Sequence, residues 1–268
     1  MAIREKMKMS QLGFRYLVIG LSFFGMTISC RPGTQVVPVD PKAEPFHYEF
    51  KGALDETVWE KARYTFEGNA CVSDPDDVVP GPDHLALRVR KMESPRENRV
   101  YSAGGLRSLR LFTYGTFTVS MRVPIPSGTV GSFFLMNPWQ PGRWLHKEID
   151  FEFLGKSRHA VQVNLHRFWA DTESAAGNPF VWEALFDYGD DFHEYTVVWK
   201  PDVVQWLVDG RMIHESRENV PDESLNILMN FWIPDPKVSW AANWVGTFDE
   251  RKIPAQVEYR WVKYTPTE

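Results

Sequence analysis

The sequence predicts an all-β sandwich, and three observations carry that expectation. From Phe46 onward, short runs alternate apolar and polar residues, are broken by Gly, Pro, Asn and Asp, and show no sustained helical period. Asp209-Gly210 stands between two such runs, and both residues tolerate the positive φ that a two-residue hairpin requires. The composition is rich in aromatics (14%, with 11 Trp) and in proline (19), which suits a globular fold of short strands and many turns.

In chain order the expected strands are His84–Arg90, Gly115–Val123, Gly131–Met136, Lys147–Phe153, Ala160–His166, Glu194–Trp199, Val203–Val208, Arg211–Glu215, Asn226–Trp232 and Gln256–Tyr264. A chain of 268 residues is long enough to bury one large core, and a single domain over residues 46–268 is expected. Residues 1–30 read as an export signal. Arg4, Lys6, Lys8 and Arg15 give a positive start, and Tyr16 to Ser29 is an uncharged, mostly apolar run too short for a comfortable membrane span. Residues 31–45, with five prolines or glycines, read as an extended tether.

Lys147–Phe153 contains the most informative pattern. Successive side chains on a strand point to opposite faces, so Glu148, Asp150 and Glu152 share one face while Ile149, Phe151 and Phe153 share the other. Acids are poor strand formers and like charges on one face repel, so the row costs stability. The pattern fits an ordinary half-buried strand with its acids in water. It also fits, less readily on pattern alone, a ligand-facing surface where two carboxylates flank a glycosidic bond, one as nucleophile and one as proton donor.

The run Glu148-Ile149-Asp150-Phe151-Glu152-Phe153-Leu154-Gly155 resembles the active-site strand of glycoside hydrolase family 16. Three further segments in the same order resemble that family: Tyr114–Met121, Phe192–Gly210, and Met229–Trp232 followed by Val257–Tyr264. The resemblance implies a β-jelly-roll sandwich of two antiparallel sheets with a concave substrate cleft. It implies retaining catalysis, with Glu148 as nucleophile, Asp150 holding and tuning it, and Glu152 as general acid/base. Residues i and i+4 on a flat strand lie about 13 Å apart at Cα, whereas retaining carboxyls sit roughly 5–5.5 Å apart. A curled sheet and inward-leaning glutamates must close that gap. The unbroken alternation resembles the branch with lichenases and xyloglucan endotransglycosylases, which act on β-glucans. Hydrolysis, transglycosylation and non-catalytic glycan binding at the cell surface all remain open at this point.

The same resemblance implies sugar-binding roles for Arg107, Phe134, His146, Gln162, Asn164, Asn230 and Trp232. The residue types suit the task, because carboxamides donate and accept to hydroxyls and flat aromatic faces meet the apolar C–H faces of sugar rings. Gly104-Gly105 stands where lichenases carry an acidic subsite residue, and Arg260 stands where they carry a calcium-holding aspartate. No metal or cofactor is expected, since the seven histidines form no helical i, i+4 pair and no cluster with carboxylates is visible. Cys30, just after Ser29, resembles the box at which bacterial lipoproteins are cut and acylated, although Thr27 replaces the usual aliphatic residue. A lipid on Cys30 is then the one expected membrane contact, and Cys71 is left as a lone, buried thiol. The net charge of −5 and the absence of a basic run argue against a nucleic-acid partner. An exported or envelope-anchored monomer acting on a β-glucan polymer is the expected partnership.

Overall fold

A computed structural model describes residues 44–138, 145–169, 177 and 179–267. The predicted export signal, Cys30 and all but the last two residues of the predicted tether lie outside the described residues, as do residues 170–176 and 178. Among the described residues the strands in chain order are β1 (Phe46–Glu49), β2 (Trp59–Lys61), β3 (Cys71–Ser73), β4 (Val78–Pro80), β5 (Leu85–Arg96), β6 (Arg99–Ala103), β7 (Gly105–Phe112), β8 (Gly115–Arg122) and β9 (Val130–Met136). They continue as β10 (Leu145–Leu154), β11 (Ala160–Trp169), β12 (Phe180–Glu183), β13 (His193–Lys200), β14 (Val203–Val208), β15 (Arg211–Ser216), β16 (Leu225–Trp232) and β17 (Ala255–Thr265). A short helix, α1 (Ala241–Val245), lies between the last two.

The strands form two facing sheets, as the jelly-roll expectation requires. The outer sheet runs β15-β14-β13-β8-β17-β5-β6-β3, with β1 on β17 and β4 on β5; the inner sheet runs β12-β11-β10-β9-β16-β7-β2. All pairs are antiparallel except the three-residue pair of β3 with β6. All ten expected strands are present. Those not foreseen, β1 to β4, β6, β7 and β12, are mostly three to five residues long, too short to display a period. Asp209 and Gly210 adopt φ of 48° and 76° and close the β14–β15 hairpin, as their residue types require.

The alternation of β10 places it. Ile149, Phe151 and Phe153 are buried between the sheets, and each such burial contributes roughly 1.5–3 kcal/mol. Phe151 and Phe153 pack edge-on against Tyr195 with ring centres 5.7 and 4.8 Å apart, and Phe153 also meets Tyr188 at 5.0 Å. Two outer-sheet donors reach across the core to the inner-sheet backbone. The Trp206 indole N–H donates to the Asp150 carbonyl at 2.9 Å, and the Tyr259 hydroxyl donates to the Ser132 carbonyl at 2.8 Å. Lys147, on the core-facing parity and only 2% exposed, ion-pairs with Asp222 and, at 3.0 Å, with Glu223. It therefore turns away from the acids, as alternation predicts.

The strand ends at Gly155 for a packing reason. A Cβ there would lie 1.9 Å from the Pro126 carbonyl oxygen and 3.1 Å from the Ser127 Cα, so the loop before β9 occupies the space of a side chain. Gly155→Ala is predicted to lower stability by about 2–3 kcal/mol, the upper range for overpacking. Urea unfolding checks this; an unchanged midpoint would mean that the Pro126–Ser127 loop moves aside freely.

Candidate active site

Register turns the acidic row into a grid on the face opposite the core. Glu148 is opposite Met136 on one side and His166 on the other; Asp150 lies between Phe134 and Asn164; Glu152 lies between Ser132 and Gln162. The rows continue through β16 and β7, where Asn230 pairs with Ser132 and Gly105, and Leu228 pairs with Phe134 and Arg107. The sheet thus brings Glu148, Asp150, Glu152, Phe134, Gln162, Asn164, Asn230 and Arg107 to one surface. Trp232 continues the β16 parity at the Glu152 end.

The three acids have different surroundings. Burial pushes the Glu148 carboxyl up, but the charges of His146 and His166 and hydrogen bonds from His146 and Asp150 outweigh it and hold the group below the usual value. His146 Nε2 sits 2.6 Å from Glu148 Oε2. Asp150 is almost fully buried, and burial together with the charges of Glu148 and Glu152 drives it well above the ordinary carboxylate range. Its proton is therefore held more tightly than an ordinary aspartic acid's, and the carboxyl hydrogen-bonds to Glu148. Burial and the charge of Glu148 raise Glu152 to about 8, against a hydrogen bond from Gln162 Nε2 at 2.8 Å that pulls it down. One strand therefore holds a carboxyl whose proton affinity is lowered and two whose proton affinity is raised.

Several residues of this surface were not foreseen. His166 Nε2 is 3.3 Å from Asp150 Oδ2 and 2.8 Å from Asn164 Nδ2, and burial depresses its basicity. Glu148, Asp150 and His166 bring ligand-type atoms within 4.8 Å of one another, which corrects the expectation that no histidine clusters with carboxylates. The cluster is cross-strand, so its members are far apart in sequence; yet the alternation that turns Gln162 and Asn164 inward also turns His166 inward. Tyr64, in the loop after β2, has its phenol pushed up to about 12 by burial, with Arg107 acting against the charges of Glu148 and Glu60. No periodic signal marks it.

The subsite residues divide by what their polar atoms do. Arg107 lies inside β7, and its guanidinium is ion-paired with Glu60 on β2. Asn164 gives its amide to His166 and accepts the Leu165 N–H at 3.0 Å, so it holds the cluster. Asn230 Oδ1 is buried without a partner among the described residues, leaving an acceptor for an incoming hydroxyl. Phe134 is 6% exposed and floors the grid. Trp232 is half-buried, in edge contact with Phe66 at 5.0 Å and 6.0 Å from Trp244. The bare positions Gly104 and Gly105 have a steric origin: a Cβ would lie 2.4 Å from the Asp77 carbonyl oxygen at the first and 2.9 Å from the Ala62 Cβ at the second. Arg260 carries its guanidinium 3.9 Å above the Phe192 ring.

The sequence model of glycosyl hydrolases family 16 matches residues 60–263, a span that holds the whole grid and all of the two sheets but β1 and the outer ends of β2 and β17. The chain belongs to this family. A beta-glucanase of Brevibacillus brevis is 34% identical over 224 residues, covering 82% of this chain and 81% of the relative. A beta-glucanase of Bacillus subtilis (strain 168) is 31% identical over 257 residues, covering 93% and 95%. A solved prokaryotic beta-1,3-1,4-glucanase (lichenase) derived from a mouse hindgut metagenome matches with a TM-score of 0.73 at 30% identity, over 83% of this chain and 99% of that one. The protein is accordingly a glycoside hydrolase, on the jelly-roll fold of this family.

The electrostatics of the grid generate a test that needs no substrate. Carbon-13 NMR titration of the carboxyls should find one group below the ordinary glutamate value and one near 8. His146→Gln removes the imidazole in contact with Glu148 Oε2 and should move the low titration upward. A low titration that stays put would mean that the 2.6 Å contact does not tune Glu148.

Proposed function

We propose that the protein is a retaining endo-glycosidase that hydrolyses a β-glucan, mixed-linkage β-1,3-1,4-glucan or a related polymer, through a covalent glycosyl-enzyme. The observation that carries this reading is the opposite displacement of Glu148 and Glu152. A retaining enzyme needs one carboxylate ionised to attack and one carboxyl protonated to donate, and their proton affinities must be driven apart. Here the first is held low by its histidine contact and the second is raised to about 8. The β-glucan assignment is supported by the likeness to the two beta-glucanases.

In the first step the Glu148 carboxylate attacks the anomeric carbon as the glycosidic bond breaks, and Glu152 delivers its proton to the departing oxygen. Glu152, now ionised, takes a proton from water in the second step. That water attacks the same carbon, the ester bond to Glu148 breaks, and both groups return to their starting states. Asp150, between them, hydrogen-bonds to Glu148 and fixes which oxygen faces the sugar. Sugar rings would lie across the grid on Phe134 and Trp232, with Asn230 and Arg107 meeting hydroxyls and His146 and Asn164 shaping the surroundings of the nucleophile. Export with a lipid on Cys30 belongs to the same proposal and rests on the basic start, the apolar run and the small residue before Cys30.

Reducing-end release from mixed-linkage β-glucan, xyloglucan and laminarin tests the reading. Mixed-linkage glucan is expected to give new ends, with Glu148→Gln lowering the rate roughly 10³-fold or more and Glu152→Gln roughly 10²–10⁴-fold. Scrambled polymer lengths without new ends would assign transglycosylation instead, and full activity in Glu148→Gln would remove the nucleophile from the account.

A further inference from the structure

We infer that Trp244 is a positioning residue for the general acid: its indole N–H fixes the orientation of the Gln162 carboxamide and so commits that amide to donating to Glu152. The inference rests on the reading of Glu152 as the acid. An indole nitrogen can only donate, so the atom that it meets must be an acceptor. Trp244 Nε1 lies 3.4 Å from Gln162 Oε1, and the other end of the same amide, Nε2, lies 2.8 Å from Glu152 Oε2. The two contacts are mutually exclusive with a flipped amide. Without the indole donor, Gln162 could turn its oxygen toward Glu152, where it would accept the acid's proton and hold it.

Trp244 is well placed to perform this task because α1 is pinned on several sides. Val245 is buried beside Val130 and Leu154. The Gly128 N–H donates to the Val245 carbonyl at 2.9 Å, and Lys156 Nζ donates to the Asn243 carbonyl at 3.2 Å, from the loops that flank β9 and β10. Gly246 ends the helix with φ of 86°, where a Cβ would lie 2.3 Å from Ser127 Oγ. On the cleft side the indole meets Trp232 at 6.0 Å and Trp240 at 5.7 Å. Its ring is therefore fixed by packing, leaving the N–H aimed at Gln162.

The surroundings of Glu152 allow the effect to be isolated. The ionisable groups facing it are Glu148 and Asp150 on its own strand, with His146 and His166 beyond them against Glu148. The adjoining strands bring Ser132 and Gln162, the next strand brings Asn230 and Trp232, and none of these titrates. Helix α1 carries no ionisable residue, and Lys156 is turned to the Asn243 carbonyl. Replacing Trp244 by Phe keeps an aromatic ring and changes no charge.

The experiment is the pH dependence of kcat/KM on mixed-linkage β-glucan for the wild type, Trp244→Phe, Gln162→Leu and the double variant. A donated hydrogen bond favours the ionised carboxyl, so its loss raises the acid's pKa and moves the basic limb to higher pH. Trp244→Phe and Gln162→Leu should each move that limb up by roughly one pH unit, about the worth of one hydrogen bond to a charged group. The double variant should move it no further than Gln162→Leu alone. An unmoved limb in a folded Trp244→Phe, or additive shifts in the double variant, overturns the inference and leaves Trp244 as packing. A basic limb that persists unchanged in the residual activity of Glu152→Gln overturns instead the acid assignment beneath it.

Discussion

The two-residue period of β10 is the constraint from which the rest of this molecule follows. Three apolar side chains on one face bind the strand to the core, and the burial they contribute offsets the repulsion of three acids on the other. Were the strand to slip by one residue, the acids would enter the core and the aromatics would line the cleft. The contacts of Phe151 and Phe153 with Tyr195, and the Trp206 donor on the Asp150 carbonyl, make such a slip costly. Stability and chemistry are thus set by the same alternation.

Geometry alone would leave three like acids in competition for protons. Their neighbours on the flanking strands break the symmetry. Histidines gather at Glu148, a neutral carboxamide meets Glu152, and Asp150 sits between them in the driest position. The outcome is an ordered distribution of protons rather than a uniform rise, and it has the polarity that double displacement requires. In such a coupled group a change at one member is felt by the others, so the histidines and Gln162 bear on the proton affinity of all three acids.

The legible part of the fold was the part with a period. Long strands such as Asn226–Trp232 and Gln256–Tyr264 announced themselves by alternation, and Asp209-Gly210 by its turn chemistry. Strands of three or four residues, such as β2 and β3, carry too few positions to alternate, and long-range pairing alone makes them strands. At the site, the acids and the inward faces of β11 and β16 were readable from parity. The partners of those residues were not. Tyr64 comes from a loop, the ion pair of Arg107 with Glu60 depends on which strand lies next to β7, and the histidine cluster depends on the register of β10 with β11. Register is a property of the folded sheet, so it is written nowhere in a single strand's sequence.

The central claim is that Glu148 attacks the sugar directly while Glu152 hands over its proton. The stereochemistry of the first product reports on this most directly. Proton NMR of a short β-glucan oligosaccharide, followed from the first turnover before the free sugar equilibrates, distinguishes the two possible outcomes. Two successive displacements at the same carbon give the β-anomer first, which the account predicts. An initial α-anomer would mean a single displacement by water, with Glu148 acting as a base, and would contradict the reading of the row as nucleophile and acid.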